Sequence, residues 1–302
     1  MKKVMILTCL LLTAVLLCGC DGYRETETGY IVTALGFDND GNGDITVSVE
    51  VVSAGGSEIS NEPYSEILTG KGKSPGNAVF TLNDEISKAL ILDHCNAVVL
   101  GEGLKKEQRS AVFDYLSGVK EINYGVYISA TDNAEKLFKN TKSVSVARGF
   151  DIAGNIKESI DETGINYHNR FFEIVRAFKE KENYSFPFLS SDDKKIIISG
   201  ETVYKSGKEI ASLNTEESLI YSFLREDNSG GRVYISDEYA EINHICPKEN
   251  KNGTKTLELY FKNRSKDFEE SFKKETENFL KKYGKGLGIK IKRIEIKERK
   301  DF

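Results

Sequence analysis

GYIVTALGF at residues 29–37 and DITVSVEVV at residues 44–52 decide the fold class. Both runs are β-branched and partly alternating, and the Asp/Asn/Gly cluster 38–43 between them has turn chemistry, so together they predict a β-hairpin. Further along, the period changes. Ala78, Val79, Leu82, Ile86, Ala89 and Leu90 recur at helical spacing within 74–92, behind a Ser74-Pro75 start signal. A short apolar strand over 95–100, an amphipathic helix over 105–116, a strand over 123–130 and a helix over 133–139 follow. Residues 151–181 predict helix, broken near Thr163-Gly164. Strand alternating with helix after an opening hairpin implies an α+β protein, with mixed sheets and packed helices, rather than an all-β one.

NYSFPFLSSDD at 183–193 contains one of the four prolines, has no helical period and precedes a fresh strand pattern. It therefore marks a domain boundary, dividing an N-terminal α/β domain over 20–190 from a C-terminal α+β domain over 191–302. In the second part, strands are expected at 195–205 and 208–213 around a Ser206-Gly207 turn. Asn214 or Thr215 caps a helix to Leu224, with Glu216 and Glu217 in the first turn, where the helix dipole favours them. Strands at 232–236, 240–246 and 255–262 lead to Ser265, the expected cap of a long helix ending near Tyr283. GIKIKRIEIK, from residue 288, alternates as a terminal strand with one buried face.

The N-terminus belongs to no domain. Lys2 and Lys3 precede a largely apolar run from Val4 to Leu17, and Leu17-Cys18-Gly19-Cys20 ends it before the chain turns polar at Asp21. That order is a signal peptide of the lipoprotein type over 1–19, cut before a cysteine that carries diacylglycerol. The run is too short to cross a hydrocarbon core roughly 30 Å thick. Since no second apolar run approaches spanning length, everything after Cys20 is expected outside the cytoplasm, with Cys20 as the lipidated residue. Cys95 and Cys246 then remain in the mature chain, too few for a disulfide framework, and their pairing is left open. With 42 basic against 47 acidic residues, the net charge of −5 gives no reason to expect nucleic acid as a partner.

Catalytic signatures are missing from the sequence. His94, His168 and His244 are scattered, with no His-Glu-x-x-His, no paired Cys-x-x-Cys and no Gly-x-Ser-x-Gly. His168 reads as a helix-start or surface residue. Gly72-Lys73-Ser74 ends like a phosphate loop, but Ile67 stands where its first glycine belongs. No cofactor is expected. One loop has two readings. Asp38-Asn39-Asp40-Gly41-Asn42-Gly43-Asp44-Ile45 places oxygen side chains and glycine as a calcium loop does, with Asp38, Asp40, Asn42 and Asp44 as the ligands. Its flanks read as strands and Val49 stands where a bidentate glutamate belongs, which favours a plain hairpin turn.

Taken in order, these segments resemble the Ger(x)C family of spore germination lipoproteins, the C subunits of germinant receptors. The resemblance rests on the lipobox, Asp21-Gly22-Tyr23-Arg24-Glu25, the run from Tyr30 to Asp38, and Ile45-Thr46-Val47. It continues through GKGKSPGNA at 70–78, the stretch from Asp93 to Glu102, and Ser199-Gly200-Glu201-Thr202-Val203-Tyr204. The segment from Ile210 to Ser218 completes it. Two features depart from the family pattern: no tryptophan follows the lipid-bearing cysteine, and the C-terminal end is shorter, lacking the loop between the last long helix and the final strand. The resemblance implies a non-enzymatic subunit of a membrane complex, anchored by diacylglycerol at the spore inner membrane beside A-type and B-type receptor subunits. The alternative is a solute-binding lipoprotein of a transporter, whose ligand would sit between α/β lobes.

Overall fold

A computed structural model describes residues 29–53 and 64–298. Cys20 and the expected signal peptide lie outside the described residues. Strand β1 (Gly29–Asn39) pairs antiparallel with β2 (Ile45–Ser53), as the hairpin reading requires, and β2 pairs antiparallel with β3 (Tyr64–Gly72). On its other side β1 runs parallel to β5 (Ala97–Gly101). Parallel pairing continues through β6 (Tyr127–Thr131) to β7 (Asn183–Asp192). Two further antiparallel strands, β8 (Lys195–Lys205) and β9 (Lys208–Asn214), finish the sheet. A parallel centre thus carries an antiparallel extension on each side.

Helices cover both faces, as a parallel centre demands. On one face lie α1 (Pro75–Glu85), α2 (Lys106–Gly118) and α5 (Phe171–Glu180). They contribute Ala78, Leu82, Val112, Leu116, Phe171 and Ile174 to one apolar core. On the other lie α3 (Ala134–Asn140), α4 (Arg148–Thr163) and α6 (Thr215–Arg225). In α6, seven consecutive residues from Ser218 to Leu224 are buried, more than a helix with one covered face would show. The cause is a second sheet beyond it. There, β10 (Gly231–Ile235), β11 (Glu238–Glu249) and β12 (Lys255–Arg264) form an antiparallel meander. Helix α7 (Phe268–Phe279) then crosses over to β13 (Ile291–Glu298), which pairs parallel with β12. Val233, Ile242, Leu257, Phe268 and Phe272 join Ile152, Ile220 and Phe223 in one continuous core. The described chain is therefore α+β, with mixed sheets and packed helices.

Three expectations are corrected. The helix expected over 74–92 starts as read, with Ser74 Oγ accepting from Asn77 N at 3.2 Å, but stops at Glu85. Residues Ala89–Ile91 instead form β4, a short strand parallel to Gly29–Ile31 that buries Leu90 and Ile91, so sheet pairing overrides helical spacing. Ser265 is not a helix cap. Its hydroxyl accepts from Tyr239 N at 3.1 Å and donates to Glu238, fastening the end of β12 to the start of β11, while Asp267 takes the cap position. The helix beyond it is also interrupted, passing through a π turn at Leu280–Gly284 before ending at Leu287.

All of the segment 183–193 but its last residue is β7, inside the first sheet. Pro187 is tolerated because pairing with β6 is confined to Ala130 and Phe188 and a bulge follows at Phe188/Leu189. The sheet runs on to Asn214, and the second sheet opens at Gly231.

Candidate functional site

Of the residues proposed for calcium, Asp40, Asn42 and Asp44 stay together in the β1–β2 turn. Asp40 Oδ1 accepts from Asn42 N at 2.8 Å and Asp44 N at 3.0 Å. The first of these bonds is the main reason its carboxyl is held below the usual aspartate range. Asp38 is directed elsewhere. Its two oxygens accept from Ala134 N and Glu135 N, each at 2.9 Å, so the carboxylate caps α3 from the strand below. Gly101 makes room for it, since a Cβ there would lie 2.0 Å from Asp38 Oδ1.

Glu50 of β2 repeats the device at α4. Fully buried, it accepts from Arg148 N and Gly149 N at 2.9 Å, from Thr33 Oγ1 at 2.7 Å and from Arg148 Nη1 at 2.9 Å. Gly149 permits the approach, because a Cβ would lie 2.0 Å from Thr33 O. Two strand carboxylates thus fix the N-termini of two helices, where the dipole favours negative charge. Neither partnership is visible in the sequence, because the partners lie nearly a hundred residues apart.

The start of α4 frames an open, partly apolar groove. Val144, Phe150 and Ile197 line it, together with Asn155 and Glu158, around a cavity volume of about 720 Å³. Val144 is 74% exposed although its loop is held firmly. Asp151 accepts from Ser143 Oγ at 2.8 Å, Val144 N at 2.7 Å and Ser145 N at 3.1 Å. This fixed display of apolar surface is suited to contact with another protein.

A second polar cluster, half-buried apart from the fully buried Glu201, lies where α5, β7, β8 and α6 meet. His168, at φ 48°, places Nδ1 3.1 Å from Glu173 Oε1 and bonds Glu226 through Nε2. Burial opposes its charge, but the two carboxylates outweigh that and raise its pKa. It stands two residues before Arg170, the cap of α5, in keeping with the helix-start reading, but is half-buried between two acids rather than on the surface. Glu201 of β8 is wholly buried. Desolvation pushes its carboxyl up to about 7 against the opposing charge of Arg225, and Oε1 has no hydrogen-bond partner among the described residues. His94 and Cys95 stand apart from this cluster; Cys95 is a buried free thiol whose burial raises its pKa to about 12.

Comparison with known proteins places this architecture. Residues 22–191 match the family described as the spore germination protein N-terminal domain, more than half of the 302 residues. The chain belongs to this family of spore germination proteins, and the resemblance read from its sequence is borne out. Among solved structures, the crystal structure of the GerBC protein is similar at 13% identity and a TM-score of 0.42, covering 87% of this chain and 96% of that one. No curated protein matches the sequence.

Proposed function

We propose that the mature chain is a lipid-anchored, non-enzymatic subunit of a nutrient germinant receptor, docked on A-type and B-type membrane subunits at the spore inner membrane. The family match over 22–191 carries this reading, and it begins two residues beyond Cys20. No helix among the described residues is long and apolar enough to cross a membrane. In this reading the diacylglycerol on Cys20 attaches the chain. Two acyl chains hold where one would exchange, and tethering raises the local concentration of the receptor partners. The groove around Val144 and Phe150 supplies apolar surface for docking.

The test is a strain whose only copy carries Cys20→Ser. Membrane fractionation should lose the protein, and germination with the nutrients this receptor serves should slow or fail. Normal fractionation with normal germination overturns the proposal.

A further inference from the structure

The outer face of the second sheet gathers three side chains that the receptor reading does not use. Asp227, His244 and Cys246 place a carboxylate oxygen, an imidazole nitrogen and the thiol sulfur within 4.8 Å of one another. His244 Nε2 lies 3.4 Å from Asp227 Oδ1. Two donors on one tetrahedral zinc ion are separated by about 3.5 Å, given metal–ligand distances near 2.0–2.3 Å. Small rotations of exposed side chains span the difference.

The backbone explains why these residues meet. Along a regular strand, alternate residues face one side. In β11, however, the register shifts between Ile242 and His244, an irregularity of the kind that re-aims side chains. Ile242 and Ile245 both point into the core, whereas His244 and Cys246 both point outward. Asp227 comes from a different segment and is held by an isolated bridge. Asn228 N donates to Ile245 O and Ile245 N to Asn228 O, each at 2.9 Å, which sets residue 227 beside residue 246. Asn228 is itself buried, with Oδ1 accepting from Gly230 N at 2.8 Å and Nδ2 donating to Gly164 O. The carboxylate therefore stands on a braced stretch of backbone.

We propose that Asp227, His244 and Cys246 form a binding site for zinc or a similar borderline divalent transition metal. Sulfur beside imidazole selects against calcium and magnesium, which take oxygen ligands. The neighbours suit a metal site. The Tyr260 ring packs 5.9 Å from the His244 ring. Glu258, opposite Cys246 on β12, accepts from Tyr260 Oη at 2.8 Å and pairs with Lys248 Nζ at 2.7 Å. With Glu258 engaged there, three protein ligands leave the fourth tetrahedral position to water or an exchangeable ligand. The site does not depend on the receptor reading.

The experiment is cobalt(II) titration of the full chain in detergent, followed by displacement with zinc. One equivalent of cobalt should produce tetrahedral visible absorption and a thiolate-to-cobalt charge-transfer band, both abolished by zinc. Cys246→Ser should remove the charge-transfer band, and His244→Ala should weaken zinc binding by about tenfold or more. Both side chains face solvent, and circular dichroism should show each variant folded. Absence of stoichiometric cobalt and zinc binding overturns the site, as does binding that persists unchanged in Cys246→Ser and His244→Ala.

Discussion

At the scale of single residues, the groups that matter are carboxylates taken out of water. Glu201 keeps its proton to about pH 7 because burial penalises its charge, and the unfolded chain would release it near 4.5. A carboxyl raised by folding stabilises the native state fully below its unfolded pKa, and that stability is lost as pH rises through the folded value. His168, raised above 6.5 by Glu173 and Glu226 against its own burial, acts in the same direction at higher pH. Stability should therefore fall between pH 5 and pH 8, with Glu201 contributing on the order of 3 kcal/mol. Urea midpoints at the two pH values measure it, and Glu201→Gln should flatten the difference. An unchanged slope in that variant would remove Glu201 as the cause. Glu50 differs because both of its oxygens are engaged by hydrogen bonds. Glu50→Ala leaves Arg148 without its carboxylate and α4 without its cap, and should cost roughly 3–5 kcal/mol in the same assay. Thr33→Val, which removes one hydrogen bond to the same carboxylate, should cost about 1 kcal/mol.

Among the elements, α6 shows how local sequence and tertiary packing divide the work. Asn214 Oδ1 accepts from Glu217 N at 2.9 Å, and Glu217 Oε2 accepts from Asn214 N at 3.0 Å, a reciprocal capping box. Asn214→Ala should destabilise the protein by about 1 kcal/mol, read as a lower urea midpoint with unchanged slope. That cap was legible in the sequence, as were the β1–β2 hairpin, the Ser206-Gly207 turn and the break at Gly164, which closes α4 at φ 72°. Each is written in adjacent residues whose chemistry acts locally. What escaped the sequence depends on distant partners. Ala89 and Leu90 continue a helical period yet are drawn into a strand by β1, and Ser265 has a cap's side chain but spends it on β11. His168 and Glu201 acquire their character from burial between segments far apart in the chain. The metal-ligating trio was unreadable for the same reason, since a register shift and an isolated bridge bring Asp227 to β11.

For the whole molecule, the decisive feature is that α4 and α6 serve two sheets. Ile152 and Ile156 of α4, and Ile220, Phe223 and Leu224 of α6, belong to the same core as Val203 of the first sheet and Val233, Ile242 and Leu257 of the second. Neither sheet can lose its partner without exposing a helix face that is apolar on both sides, so the two should unfold in one transition. The chain has no tryptophan, which allows a single fluorescent probe to be placed in either sheet. Tyr64→Trp reports on β3 of the first sheet and Tyr234→Trp on β10 of the second; both positions are exposed, so the probe disturbs little. Urea unfolding of the two variants should give coincident midpoints that also match far-ultraviolet circular dichroism. Under the proposed function, with lipid at one end and a receptor contact elsewhere, a single cooperative unit would transmit a displacement at one contact to the other. Separate midpoints, with the second sheet melting first, would mean that the sheets are independent units and that displacement at one would not reach the other.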